Sequence, residues 1–190
     1  KFTWKFLVAL GALGVISGIG FFAISFGKGF AQERVLKEGN DALANLERAK
    51  NNLEELRFGQ AADDFALAYS NFDQASGTLN NFGASFLSIF GKVRSANNLI
   101  EAGRNISKAG ENLSRAFQSI SQTNFLAMLH LSGDGRSSLA KPLSDFQNVL
   151  EDADNNIRTA AKLLNDVDSS AIPGEKRDLF ESFRAKIPSF

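Results

Sequence analysis

Any chemistry done by this chain must use carboxylates, cationic side chains, hydroxyls and one histidine, because its 190 residues include a single His and no Cys. The lack of cysteine excludes a disulfide framework, a thiolate zinc site and a thiol nucleophile, and fits either side of a membrane. The histidine, His130, has no second histidine with which to share a metal, and its neighbours Met128, Leu129 and Leu131 read as a core edge. Asp63 with Asp64 and Glu54 with Glu55 are adjacent carboxylates, but adjacent residues on a helix do not face one another, so both pairs read as solvated faces. Ser132-Gly133-Asp134-Gly135 lacks the further carboxylates of a calcium loop and the lysine of a phosphate loop, and reads as a turn. Asn105-Ile106-Ser107 and Asn112-Leu113-Ser114 match glycosylation sequons, yet both share residues with a helical apolar seam and are treated as chance. Twenty-one basic residues balance twenty-one acidic ones, which leaves no overall field to draw nucleic acid. The expectation is a protein with no catalytic residues, no cofactor, no metal and no nucleic-acid partner.

The elements that position these side chains start from one stretch. Phe6 to Gly27 is a run of twenty-two residues without a charge, closed by Lys5 and Lys28. At about 1.5 Å per helical residue it is long enough to cross a hydrocarbon core of roughly 30 Å, so residues 1–28 are expected to be a transmembrane anchor with the lipid bilayer as partner. Trp4 beside Lys5 would lie among the headgroups. Gly11, Gly14, Gly18 and Ser25 form a face nearly free of side chains, where a second membrane helix can approach closely. The competing reading is a signal peptide cleaved after Gly29-Phe30-Ala31, although the apolar run exceeds the usual length of such a segment. Lys1 and Lys5 precede the run and Lys28, Arg34 and Lys37 follow it, so basic residues do not decide its orientation. A chain that begins with Lys is expected to be processed or part of something longer.

Residues 29–170 read as a helical bundle or stalk. A first helix over about Ala31 to Arg57 has the seam Val35, Gly39, Ala42, Leu46, Ala49, Leu53 and Leu56, in alternating steps of four and three, and Phe58-Gly59 should end it. A second helix from about Gln60 has the seam Ala61, Phe65, Ala68, Phe72, Ala75, Leu79, Phe82, Phe86, Ile89 and Val93. Large and small residues alternate along it, so each Phe should lie over a small residue of a partner helix. Its glycines predict a bend or break between Asn80 and Lys92. A third seam runs through Leu99, Ala102, Ile106, Ala109, Leu113, Ala116 and Ile120. A fourth helix should start near Pro142, with the seam Leu143, Phe146, Leu150, Ala153, Ile157, Ala160, Leu164 and Val167, and stop at Ala171-Ile172-Pro173-Gly174. Residues 171–190 read as a short final helix through Leu179, Phe180, Phe183 and Ile187, leading to a further domain. Four seams without a comparable strand-like stretch predict an all-α fold, an elongated antiparallel bundle of heptad-patterned helices roughly 40 to 55 Å long.

Leu56-Arg57-Phe58-Gly59-Gln60-Ala61, followed by Phe65, Ala68, Phe72 and Ala75, resembles the N-terminal helical region of bacterial membrane proteins carrying domain of unknown function 4012. Leu99-Ile100-Glu101-Ala102-Gly103, followed by Ile106, Ala109 and Leu113, resembles that family's next helix, so the resemblance covers about Ala31 to Ile120. It implies a single-pass protein of the cytoplasmic membrane, with its helical body outside the cytoplasm and a larger domain beyond Phe190. It implies no activity. The leading expectation is therefore a non-catalytic, membrane-tethered helical stalk or interaction module of the bacterial cell envelope, binding a protein partner or itself through its helices and holding whatever follows at a distance from the bilayer. Two alternatives stand beside it. A pilin-like filament subunit fits Phe2-Thr3 ahead of an apolar helix, although Phe6 stands where such subunits carry a carboxylate. A sensory four-helix input domain would ordinarily be bracketed by two membrane spans, and one is present here.

Overall fold

The computed structural model describes residues 30–90, 93–122, 135–172 and 174–186. They form α1 (Phe30–Glu54), α2 (Phe58–Phe90), α3 (Val93–Gln122), α4 (Gly135–Asn165), a 3-10 turn (Ser169–Ala171) and α5 (Gly174–Lys186). No strand occurs among the described residues. The four long helices pack in a bundle-like arrangement, each mainly against its neighbours in chain order. No helix among the described residues is long and apolar enough to cross a membrane. The run from Phe6 to Gly27, with Gly11, Gly14, Gly18 and Ser25, lies outside the described residues, as do His130, Ser132, Gly133, Asp134 and the side chain of Phe86.

The packing is antiparallel and its register can be read residue by residue. Phe58 on α2 stacks on Phe117 of α3, with ring centroids 5.6 Å apart. One heptad along α2 and one heptad back along α3, the Phe65 ring covers Gly110; one heptad further, Phe72 covers Gly103. A Cβ added at Gly103 would lie 2.5 Å from the Phe72 ring, and one at Gly110 no farther from that of Phe65. Phe65 and Phe72 are therefore knobs seated in pits that only glycine leaves open. The α3–α4 pair holds register in the same way. Phe117 meets Phe146 edge-on at 5.6 Å, and at the other end the Asp168 N–H donates to Ser95 Oγ at 3.2 Å. Between α1 and α2, Thr78 Oγ1 donates to Glu38 Oε2 at 3.0 Å.

Burial follows the seams where a helix has neighbours on both sides. Leu46, Phe65 and Phe72 are buried in one apolar cluster, and Leu53 and Ile106 pack against it partly exposed. Leu113, Phe146, Leu150 and Ile157 are half-buried. On α4 the cause is position: among the described residues its long side is covered by α3 alone, and Leu143 is 61% exposed. The seam expected on α3 is one of two. A second stripe, Ala96, Ile100, Gly103, Ser107, Gly110 and Ser114, is buried throughout. It holds the glycines that receive the α2 rings.

Several expected boundaries are corrected. α1 ends at Glu54, and the left-handed residue that closes it is Leu56, with φ 58°, not Gly59. Arg57 N–H bonds the Asn52 carbonyl at 2.8 Å and Leu56 N–H that of Leu53 at 3.0 Å, the pair of bonds that satisfies the last carbonyls of a helix in a Schellman motif. Gly59 instead sits in the first turn of α2, beneath the Gln118 side chain. Of the interval expected to hold a bend or break, residues 80–90 are helical in α2, residues 91 and 92 lie outside the described residues, and α3 begins at Val93. α4 begins at Gly135, which places Pro142 inside the helix, where it has no N–H for the Ser138 carbonyl. α4 stops at Asn165, ahead of the apolar stretch expected to end it, and Asp168 caps the 3-10 turn by accepting from Ser170 N–H at 2.8 Å.

An even number of antiparallel long helices brings the chain back to its starting end. The α1 start lies beside the far part of α2, the start of α3 beside the end of α4, and Arg184 of α5 donates to the Val167 carbonyl at 3.3 Å. Phe180 of α5 is buried in the same cluster as Val35 of α1. α5 therefore lies at the same end of the body as the start of α1.

Two stability predictions follow from this packing. Gly110→Ala should destabilise by about 1 to 3 kcal/mol, the usual range for overpacking, although alanine is the better helix former by about 1 kcal/mol. Gly77→Ala, with open space around it, should be neutral or stabilising in the same urea titration. Leu56→Gly should stabilise by about 1 kcal/mol, because Leu56 is 71% exposed and glycine relieves the left-handed backbone. A loss of stability in Leu56→Gly would show that its side chain has a packing role.

Candidate functional site

Among the described residues, polar side chains converge most densely along one side of the α2–α3 seam. Arg104, the residue after Gly103, lies beside Tyr69 and Asp73 of α2 and Glu101 of its own helix. Its guanidinium donates to Glu101 Oε1 at 2.9 Å and Oε2 at 3.0 Å, and to Tyr69 Oη at 3.1 Å, and pairs with Asp73 Oδ1 at 2.8 Å. It also lies 5.3 Å from the centroid of the Tyr69 ring, and Lys108 Nζ lies 6.0 Å from the same ring. Ser76 Oγ donates to Glu101 Oε1 at 3.1 Å. Arg104 Nε is buried without a hydrogen-bond partner among the described residues. Burial works against the charge of Arg104, but bonds to the Glu101 carboxylate and the Tyr69 hydroxyl outweigh it and hold the pKa above its ordinary value.

Such a group does not exchange protons at any physiological pH, and the carboxylates around it are ion-paired. The arrangement is a clamp between two helices, built from one fork of donors that reaches both. A second, more exposed ladder continues toward Phe58. Lys108 and Arg115 both reach Glu111, at 3.2 and 3.1 Å, and Arg115 approaches Asp63 at 3.8 Å. The α1–α2 seam has its own set: Asp64 accepts from Arg48 Nε at 3.1 Å and from Asn52 Nδ2 at 2.7 Å, and the buried Glu38 accepts from Arg34 and Thr78.

The adjacent carboxylates considered as acid–base pairs thus have separate partners. Asp64 faces α1 and Asp63 faces Arg115 of α3; Glu54 pairs with Lys50 at 3.1 Å and Glu55 with Arg57. Among the described residues, no three His, Cys, Asp or Glu side chains are grouped to hold a metal ion. In the two sequons Ser107 and Ser114 are buried, and Asn105 and Asn112 are half-buried. Of the bundle residues singled out by spacing, Leu46, Phe65 and Phe72 share the core, while Phe146, Leu150 and Ile157 line the half-covered side of α4. Arg104, Tyr69, Glu38 and Thr78 were not legible as a set. The i,i+3 spacing of Glu101 and Arg104 was the available signal, and it reads equally well as a solvated pair.

No protein-family model matches the chain, and neither a curated protein nor a solved structure is significantly similar to it.

Arg104→Ala should destabilise by about 2 kcal/mol, since it strands Glu101, Asp73 and the Tyr69 hydroxyl in a partly buried place. Arg104→Lys should recover part of this, because an ammonium cannot bond both helices with one fixed fork. Arg115→Ala, whose partners are reached from an exposed position, should cost less than about 1 kcal/mol. Equal effects of Arg104→Ala and Arg115→Ala in urea unfolding would remove the distinction between clamp and surface pair.

Proposed function

We propose that the chain is a non-catalytic, membrane-anchored helical interaction module of the bacterial cell envelope, single-pass in the cytoplasmic membrane, with its helical body outside the cytoplasm. The observation that carries this reading is the continuous register of the long helices. Phe65 over Gly110 and Phe72 over Gly103 close the seam between α2 and α3 where a substrate cavity would need space, and the surrounding ionised groups are spent on holding helices together. A body of this kind acts by shape and contact.

The membrane assignment is supported by the uncharged run from Phe6 to Gly27, which ends within three residues of the start of α1. The extracytoplasmic assignment rests on the resemblance to membrane proteins carrying domain of unknown function 4012. Protein partners, or a second copy, would meet the exposed helix faces. What projects from the anchored end is the body's own far end, the α1–α2 turn at residues 55–57.

The test is extraction and mutation together. The full chain should stay with membranes at high pH, whereas a chain starting at Gln32 should be soluble and helical. Replacing single exposed carboxylates, such as Glu151, should leave function intact, while removing a matched heptad from each of α1 and α2 should not. Release of the full chain by alkali, or a mature N-terminus at Gln32, would overturn the anchor. A point mutant at an exposed carboxylate that abolished function with the fold intact would overturn the non-catalytic reading.

A further inference from the structure

The return of the chain to its starting end defines a base. It comprises the start of α1, the adjoining ends of α2 and α3, the end of α4, the 3-10 turn and α5, tied together by Glu38 with Thr78, Ser95 with Asp168, and Arg184 with the Val167 carbonyl. The uncharged run ends at Gly27 and α1 is underway at Phe30. Three residue steps span at most about 10 Å of extended chain, so the base has no room to stand off from whatever holds residues 6–27.

Charge separates the base from the rest. In the described parts of residues 41–77, 101–122 and 135–159, thirteen acidic side chains stand against eight basic ones. In the described base, six acidic side chains stand against six basic ones, including the exposed Lys37, Arg94 and Lys162. The acidic excess is therefore carried by the part remote from the anchor. Screening confines its effect to about 10 Å at 0.1 M salt, so it acts when the body lies along an anionic surface and vanishes when the body stands away from it.

We propose that the base, α5 included, seats against phospholipid headgroups while the α1–α2 turn stands away from the bilayer by the length of α1. The 25 residues of α1 make that distance roughly 37 Å. This rests on the anchor reading given above, and the experiment separates the two. The chain has no cysteine, so single labels can be placed by Asp178→Cys on α5 and by Asn51→Cys near the end of α1, both at exposed positions.

The full chain, carrying one environment-sensitive fluorophore, is reconstituted into vesicles of phosphatidylcholine and phosphatidylglycerol, with and without lipids bearing a nitroxide at the headgroup. Flotation is scored first, then quenching. The Asp178→Cys label should lose most of its emission to the headgroup nitroxide, and the Asn51→Cys label should keep nearly all of its emission, with unchanged helix circular dichroism in both. Comparable loss at the two positions would mean that the body lies flat, and loss at Asn51→Cys alone would mean that it is inverted; either overturns the seated base and leaves the anchor standing. Failure to float with the vesicles overturns the anchor, and the seated base with it.

Discussion

The seating of Phe65 and Phe72 over Gly110 and Gly103 is the contact on which the rest of this fold depends. A ring that fills the space a Cβ would occupy brings the two helix backbones closer than ordinary side chains permit, and it fits only when knob and pit are opposed. Sliding α2 along α3 by one turn would set each ring against a residue with a side chain. The cost of that slip, more than the apolar area buried, gives the pair a single register. Once α2 and α3 are fixed, the Phe58–Phe117–Phe146 chain of rings transmits the register to α4.

Polar groups have a subordinate and consistent part. Glu38 with Thr78, Asp64 with Arg48 and Asn52, and Arg104 with Tyr69, Asp73 and Glu101 sit at the margins of the apolar seams and bridge neighbouring helices. Such pairs add modest net stability, but a misregistered packing would bury them unpaired.

What was legible in the sequence is the part set by periodicity. Steps of three and four identified the four long helices and most residues that face inward, because burying an apolar stripe is the first condition of helix packing. The second stripe of α3 escaped because glycine and serine carry little hydrophobic signal; Gly103, Ser107, Gly110 and Ser114 become core residues only through the rings that α2 lays on them. The end of α1 was misplaced for a related reason. Gly59 is the residue best suited to a left-handed turn, yet the hydrogen bonds of Leu56 and Arg57 to Leu53 and Asn52 close the helix three residues earlier. Pro142 suits the first turn of a helix, yet α4 begins two turns before it. The spacings imply four antiparallel helices and so a return to the starting end, but the hydrogen bond that ties α5 to the Val167 carbonyl there is visible only in the fold.

That return has a mechanical meaning. A pull applied between the α1 start and α5 acts at one end of the array, across adjoining ends, so it would loosen the body as a zip opens, one helical turn at a time from the loaded end. A pull between the base and the α1–α2 turn runs along the helices, where every seated ring resists together. The same body is compliant to one direction of load and stiff to the other.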